Sequence, residues 1–443
     1  MGKVGMSLAV LACAALAGSA LAQEDGIERP GAAARLEHVR PVIAPIPGAS
    51  LDLTTALSRA EALSPDVAAA RLEAAAARHE VDQAGVRPNP EVGVDLEDLS
   101  RRQRTTTVTL SQRLELGGKR AARVQAAQRA QEVADMQTLQ QRVETRAAVT
   151  SAFFATLVAQ ERIELAQEAV KLAQLGTTVA DKRVLSGKVS PVELTRAKVA
   201  EAQTRLEMTR AVGEFQGSLH VLRAALGGGA GQSVDRVNGS LLVLPTLPAV
   251  DDLLGMAERA PARRKSAKEV ERWSAVAAVE RSLRTPDVTV SVGFKREQEI
   301  SRNLWIVGVS MPLPVFDRNV GSELAALRRR DKAEEEARAL ALRQRADLLS
   351  AHQRFVTAIQ TAESMRNEVL AGAESAYAAA TRGFSLGKFS YLEALDAQRT
   401  LLDTKTQYFA ALADAYRAAS DVERLIGEPI FGASAPSLTN TLK

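Results

Sequence analysis

The sequence predicts an α+β membrane protein in which long α-helical hairpins are combined with four transmembrane β-strands. Three observations predict this fold class. A short segment with the composition of a helical turn occurs twice. Two runs of about 60 residues contain almost no glycine or proline, and four shorter runs alternate polar and apolar residues. The repeated segment also indicates an internal two-fold repeat.

The repeated segment has glycine, lysine, serine and glutamate at the same spacing in both copies. The pairs, each 200 residues apart, are Gly187 and Gly387, Lys188 and Lys388, Ser190 and Ser390, and Glu193 and Glu393. Glycine ends a helix because it tolerates left-handed backbone angles. Serine is a favoured N-cap of the helix that follows. Each copy is therefore predicted to be the tip of a long helical hairpin.

The same duplication extends over each half of the chain. Pro65 corresponds to Pro261 at an offset of 196, and Ser111 corresponds to Ser310 at an offset of 199. A unit of about 200 residues is too long for a solenoid repeat and indicates a duplicated half-domain. The predicted organisation is a signal peptide at 1–22, an extended N-terminal arm at 23–50, a first repeat at 51–226, a connector at 227–249, a second repeat at 250–427 and a C-terminal tail at 428–443.

The first 22 residues have the pattern of a secretory leader. Lys3 precedes an apolar run, and Ala20-Leu21-Ala22 forms a small-residue cleavage site before Gln23. The alternative is a lipoprotein signal in which Cys13 is acylated. The chain stays apolar for nine residues after Cys13, whereas a lipid-anchored cysteine is usually followed by polar residues, so ordinary cleavage is favoured. The mature protein would then contain no cysteine.

Composition argues against nucleic-acid binding and against catalysis. The formal charge of +4 gives no basis for nucleic acid as a partner. The four histidines, which match no recognised metal-ligand pattern, are His38, His79, His220 and His352. No serine–histidine–aspartate or cysteine–histidine arrangement suggests itself. We therefore expect neither an enzyme nor a cofactor, and no tight metal site.

Four segments have the alternation of strands with one polar and one apolar face, and each has roughly the length that crosses a bilayer as a tilted strand. They are residues 91–97, 107–116, 287–294 and 305–311. The side chains expected to face lipid in the second pair are Val288, Val290 and Val292 with Trp305, Val307 and Val309. Open strand edges are not tolerated in lipid, so several copies must close one barrel. Two copies give eight strands, and three give twelve with room for a channel.

A very long helix is predicted after each strand pair. Residues 119–175 contain no glycine or proline, and residues 320–382 contain no proline. At 1.5 Å per residue, about 60 residues span roughly 90 Å. Return helices are expected at 191–226 and 390–426. The helix expected at 51–84 should break at Ser64-Pro65, where the serine can cap the second piece.

This order of elements, repeated twice behind a secretory leader, resembles the TolC family of outer-membrane efflux ducts. The resemblance covers about 51–427 and is carried by residues 53–57 with Pro65, Pro88-Asn89-Pro90, 114–120, 311–318 and 387–398. The stretch 114–120, Leu-Glu-Leu-Gly-Gly-Lys-Arg, is most similar to the branch that serves heavy-metal exporters of the cobalt–zinc–cadmium type (CzcC-like).

The resemblance implies a homotrimer with a twelve-stranded barrel in the outer membrane of a Gram-negative bacterium and a helical tunnel across the periplasm. It implies that the inner end docks a periplasmic adaptor protein and a proton-driven pump of the inner membrane, and that heavy-metal cations pass through passively. Two alternatives stay open. One is a drug-efflux or type I secretion duct of the same architecture, and the other is a periplasmic helical scaffold that never enters the membrane.

The resemblance also assigns roles to the tips. Leu386, Gly387 and Lys388 match the family's adaptor-docking turn, and the first tip keeps Gly187 and Lys188 but has Ser186 in place of the aliphatic residue. Adaptor docking is therefore expected at both tips.

A second implied site is the pore entrance. Glu393 and Asp396 match the acidic residues that line it, and Glu193 matches an acidic member of the gate. Arg196 is the counterpart of Asp396 at the 200-residue offset, so pairing between neighbouring hairpins is expected. The family's polar gate positions hold Phe384 and Phe389 in this chain.

Overall fold

A computed structural model describes residues 50–97, 104–228, 234–241, 246–386 and 388–431. These residues all belong to one compact unit of the chain, Pro45–Lys443. The predicted leader with Cys13 lies outside the described residues, as do the N-terminal arm up to residue 49, most of the predicted C-terminal tail and Gly387.

The first half of the chain forms helices α1 and α2, strands β1 and β2, and helices α3 and α4. Their bounds are Leu53–Leu63, Pro65–Ala84, Glu91–Glu97, Thr105–Leu114, Lys119–Leu185 and Pro191–Ala225. The break between α1 and α2 falls at the predicted step. The Ser64 hydroxyl accepts a hydrogen bond from the Val67 N–H at 3.4 Å, and Pro65 lies in the first turn, where its missing N–H is tolerated.

The second half forms helices α5 and α6, strands β3 and β4, and helices α7, α8 and α9. Their bounds are Val250–Glu258, Pro261–Ser282, Val288–Glu297, Arg302–Ser310, Val320–Ser364, Ala371–Ser385 and Tyr391–Ile426. A π-helical turn, Met365–Leu370, separates α7 from α8. The very long helix predicted over 320–382 therefore forms, with one π-helical turn that the sequence did not predict. A π-turn widens a single helical turn, and the apolar pattern on either side stays helical, so the sequence does not reveal it.

The four strands form one antiparallel sheet in the order β1-β2-β3-β4. The two halves of the chain meet at β2 and β3, where Val108 lies opposite Phe294 and Leu114 opposite Val288. Strand bounds differ from the predicted ones by up to three residues. Among the described residues, β1 and β4 each pair on one side only. The sheet therefore has two edges available for pairing.

The turn from β2 into α3 requires left-handed backbone at two consecutive glycines. Gly117 has φ 70° and Gly118 has φ 73°. A Cβ on Gly117 would lie 2.6 Å from the Cβ of Thr285, which follows α6. Lys119, the first residue of α3, is buried and its Nζ lies 2.6 Å from a carboxylate oxygen of Asp287. This junction ties the start of α3 to the start of β3.

The largest hydrophobic core lies where α1, α3, α4, α7 and α9 meet the connector. Phe154 of α3 stacks on Tyr416 of α9 with ring centroids 3.9 Å apart. The connector contributes a parallel β-bridge between Leu51 and Val237. The core therefore joins both halves of the chain. No helix in the described part of the chain carries an apolar stretch long enough to cross a membrane.

Candidate channel entrance and membrane-facing sheet

The first tip has the predicted helix stop and cap. Gly187 has φ 69°, and a Cβ there would meet nothing within 4 Å, so backbone conformation alone favours glycine. The Lys188 N–H donates to the Arg183 carbonyl at 2.9 Å, which closes the end of α3. Ser190 caps α4, its hydroxyl accepting from the Val192 N–H at 3.4 Å. Lys188 is exposed, and the turn presents it to solvent.

The second tip has an equivalent backbone hydrogen bond and an additional side-chain contact. The Lys388 N–H donates to the Gly383 carbonyl at 2.8 Å, and the Phe389 ring lies directly against Gly383, where a Cβ would overlap it. Leu386 and Lys388 are exposed. These contacts fix a turn whose apolar and cationic side chains point away from the hairpin.

Glu393 has a local structural role in addition to its predicted place at the pore entrance. It forms a capping box at the start of α9. Its carboxylate accepts from the Ser390 N–H at 2.7 Å and from the Ser390 hydroxyl at 2.9 Å, and its own N–H donates to the Ser390 hydroxyl at 3.3 Å. The side chain is exposed, so one carboxylate caps the helix and adds negative charge to the tip.

The other predicted entrance residues lie on the same two helices. Asp396 is exposed one turn after Glu393, on the same face of α9. Arg196 is exposed on α4, and Glu193 is half-buried one turn before it. No ion pair joins Arg196 to Asp396 among the described residues of this one chain.

Sequence reasoning missed the contacts that hold the two tips together. The guanidinium group of Arg183 lies 4.1 Å from the centroid of the Phe384 ring and donates to the Phe384 carbonyl at 3.1 Å. Further along, Arg399 donates to the side-chain oxygen of Gln203 at 3.1 Å. The available signal was Phe384 itself, an aromatic residue where a polar one was expected. Arg183 contacts both the ring face and the backbone carbonyl of Phe384.

One face of the sheet is apolar across all four strands. The register places Val94, Val108, Phe294 and Trp305 in one row. The remaining apolar side chains of this face are Val92, Leu96, Leu110, Leu114, Val288, Val290, Val292, Val307 and Val309. Much of this face is exposed, with Trp305 at 79% and Val92 at 71%. The predicted shared face of β3 and β4 is thus confirmed, and it continues over β1 and β2.

Gln112 is the one polar side chain that interrupts this face near the helices. Its amide nitrogen donates to the Pro88 carbonyl at 2.9 Å and to the Arg113 carbonyl at 3.0 Å. The opposite face of the sheet is mostly polar, and its apolar side chains on β4 are Leu304 and Ile306. Lys295 lies there with its Nζ 3.8 Å from both Glu97 and Glu297. The two faces therefore suit lipid on one side and water on the other.

The described residues contain no group of three or more histidine, cysteine, aspartate or glutamate side chains placed to hold a metal ion.

Among the described residues, the sheet combines an exposed apolar face with two edge strands that each pair on one side only, and these features define a membrane-channel protein. Strands satisfy their backbone hydrogen bonds in lipid only when every edge is paired, and exposed apolar side chains are stable there.

The chain belongs to the outer membrane efflux protein family, whose model matches residues 56–228 and 256–428. It is 40% identical to the cobalt-zinc-cadmium resistance protein CzcC of Cupriavidus metallidurans over 377 residues, which are 85% of this chain and 90% of that protein. It is 30% identical to the nickel and cobalt resistance protein CnrC of the same organism over 283 residues, 62% of this chain and 66% of CnrC.

Solved structures share the fold. The fold matches that of CusC, solved in a study of transmembrane channel formation, with a TM-score of 0.71 over 85% of this chain and 92% of that one, at 17% identity. The outer membrane protein VceC of Vibrio cholerae gives a TM-score of 0.70 over 85% and 96% of the two chains, at 18% identity. The predicted resemblance and the predicted outer-membrane location are therefore confirmed. The family consists of efflux channels, not enzymes.

Proposed function

We propose that this protein is the outer-membrane duct of a three-part efflux system that exports heavy-metal cations. The observation that carries the proposal is the 40% identity to a cobalt-zinc-cadmium resistance protein over 90% of that protein's length. The duct is passive, so it needs no site that holds a cation tightly, and tight binding would slow release. Energy for export comes from a proton-driven pump in the inner membrane.

The duct forms from three copies of the chain. The free edges of β1 and β4 support an assembly in which each copy pairs with the next. Three copies give twelve strands with the apolar face outward and the polar face lining a channel, whereas two copies give eight strands and a filled interior. A periplasmic helical scaffold has no use for an exposed apolar sheet face.

The tips dock a periplasmic adaptor that links the duct to the pump. The turn residues Leu386, Gly387 and Lys388, with Gly187 and Lys188 of the first tip, form the docking surface. The exposure of Leu386 and of both lysines supports this role, since an apolar and cationic turn is free to contact a partner.

The same end of the molecule forms the pore entrance. Glu393 and Asp396 give it negative charge, which raises the local concentration of cations. Glu193 and Arg196 lie on the neighbouring hairpin, and Arg196 holds the mouth closed by pairing with Asp396 of an adjacent hairpin.

Complementation of a deletion strain tests the function. The wild-type gene should restore growth in cobalt, zinc and cadmium salts and lower the metal content of the cells, with little effect on tolerance to antibiotics. Restored antibiotic tolerance or protein secretion without a metal phenotype would favour the drug-efflux or type I secretion alternative. Heat-resistant trimers in the outer-membrane fraction test the assembly separately.

Substitution at the tips tests docking. Gly387→Trp should leave trimer yield unchanged but abolish metal resistance and lower chemical crosslinking to the adaptor, because a bulky side chain blocks close approach at an exposed turn. Gly187→Trp should act in the same direction. The matched control is Gly213→Trp on α4, where a side chain also meets open space. Full metal resistance in Gly387→Trp would remove the tip as the docking surface.

A further inference from the structure

We infer that the apolar sheet face ends in a phosphate-binding site, formed by Arg104 and Arg296, for the bisphosphorylated glycolipid of the outer leaflet, lipid A. The inference rests on the proposed channel function, because it requires the sheet to span the outer membrane. It adds a ligand class and two binding residues on the lipid side of the sheet.

Strand register places both arginines on the lipid-facing side. Arg296 of β3 lies two residues beyond Phe294 and opposite Thr106 of β2. Side chains alternate along a strand, so Arg296 shares the face of Phe294. Arg104 precedes β2, and its carbonyl accepts from the Gln298 N–H at 3.1 Å, so the ladder continues through it. Arg104 and Arg296 are therefore diagonal neighbours on one face, about 7–8 Å apart.

The depth of these arginines in the membrane is indicated by the aromatic pair that precedes them on the side toward the helices. The rings of Phe294 and Trp305 meet edge to face, 5.8 Å between centroids. Aromatic side chains at the end of an apolar band sit at the level of the lipid headgroups. Two residues further along a strand is about 7 Å, which places the two guanidinium groups among the phosphates. This end is remote from the helices, so it faces the outer leaflet.

At this end of the sheet, the basic side chains of the two faces differ in whether they have carboxylate partners. Lys295, on the polar face, has two carboxylates at 3.8 Å. In the described part of the chain, no carboxylate forms an ion pair with Arg104 or Arg296, and the Nε of Arg104 is buried without a hydrogen-bond partner. Guanidinium groups bind phosphate with two parallel hydrogen bonds. Two adjacent guanidinium groups fit a headgroup that carries two phosphates better than one that carries a single phosphate.

Native mass spectrometry of the full-length protein in neutral detergent tests the inference. The probes are bisphosphoryl lipid A, the same lipid without phosphates, and phosphatidylglycerol. The wild-type protein should bind bisphosphoryl lipid A about tenfold more tightly than either other lipid, and Arg104→Gln with Arg296→Gln should remove that preference. Arg104→Lys with Arg296→Lys should keep part of it, because charge remains without the two parallel bonds.

The matched control is Arg302→Gln. Arg302 lies opposite Glu297 at the same end of the sheet but on the polar face, so lipid A binding should stay within about twofold of wild type. Equal binding of bisphosphoryl lipid A by wild type and the double glutamine variant would overturn the inference. Phosphatidylglycerol binding that is as tight and as arginine-dependent would also overturn it, in favour of a phospholipid site. Normal trimers in the outer-membrane fraction show that either failure leaves the proposed channel function standing.

Discussion

An ion pair between the partly exposed Arg146 and the buried Glu423 links α3 to the end of α9. The Glu423 side chain is 1% exposed and accepts a hydrogen bond from Arg146, which also donates to the Phe431 carbonyl at 2.6 Å. Burial raises the pKa of Glu423, and the bond from Arg146 offsets only part of that effect. One carboxylate therefore positions an arginine that fixes the chain just after α9.

This pair predicts a specific pH dependence of stability. Because the folded-state pKa of Glu423 lies above its unfolded value, the folded state binds more protons between the two values, so its contribution to stability falls as pH rises through that window. Thermal unfolding of the purified protein from pH 4 to 8 should show this fall in wild type and lose it in Glu423→Gln. Arg146→Ala should lower the free energy of unfolding more than Glu423→Gln does, by about 3–5 kcal/mol at pH 8, because it leaves a buried charge unpaired.

Two adjacent glycines allow the effect of backbone conformation on stability to be distinguished from the effect of close packing. Gly117 and Gly118 both have positive φ, but only at Gly117 would a Cβ overlap Thr285. Gly118→Ala should lower the free energy of unfolding by about 1–2 kcal/mol, because alanine is strained in the left-handed backbone conformation. Gly117→Ala should cost clearly more and should lower the temperature at which trimers dissociate on gels. Equal effects of the two substitutions would show that the junction with Thr285 relaxes freely.

At the scale of elements, the proposed function predicts that membrane insertion depends on the sheet. Val290 lies on the apolar face and Thr289, its neighbour in β3, lies on the polar face. Val290→Arg should cost about 2–4 kcal/mol near the bilayer midplane and reduce the trimer recovered from membranes. Thr289→Arg is the matched control, since the same charge would face the channel. Normal yield from Val290→Arg, or equal losses from both, would contradict the assignment of faces.

The sequence predicts these elements well where the signal is local. Alternation located all four strands, and the repeated segment that ends in a capping serine located both tips, because each pattern is a property of a few consecutive residues. The π-turn at Met365–Leu370 leaves no such mark. The contact of Arg183 with Phe384 joins residues 201 positions apart, so no local pattern marks it. The sequence therefore predicted residues for the candidate site, whose roles stay predictions, but not the contacts between the two tips.

At the scale of the whole molecule, the two halves of the duplicated chain carry different charges at the tips. Glu193 and Arg196 occupy one hairpin, and Glu393 and Asp396 occupy the equivalent positions of the other. In the proposed trimer the six hairpins would alternate around the mouth, so the two kinds of helix would face each other. We predict that Arg196 biases the mouth closed and that the two carboxylates set its preference for cations.

Planar-bilayer recordings separate these two roles. Arg196→Ala should raise conductance or open probability with little change in ion selectivity, because it removes a pairing partner but no carboxylate. Glu393→Gln with Asp396→Asn should lower the preference for cations over anions. The glutamine is chosen because a capping box accepts glutamine as well as glutamate, so the bond to Ser390 that starts α9 is retained. The control is Lys188→Gln at the first tip, which should change neither property if the docking turn lies outside the conducting path. If conductance, gating and selectivity all stay at wild-type values in both entrance variants, these side chains are ordinary solvated charges, and cation preference must come from the polar face of the sheet.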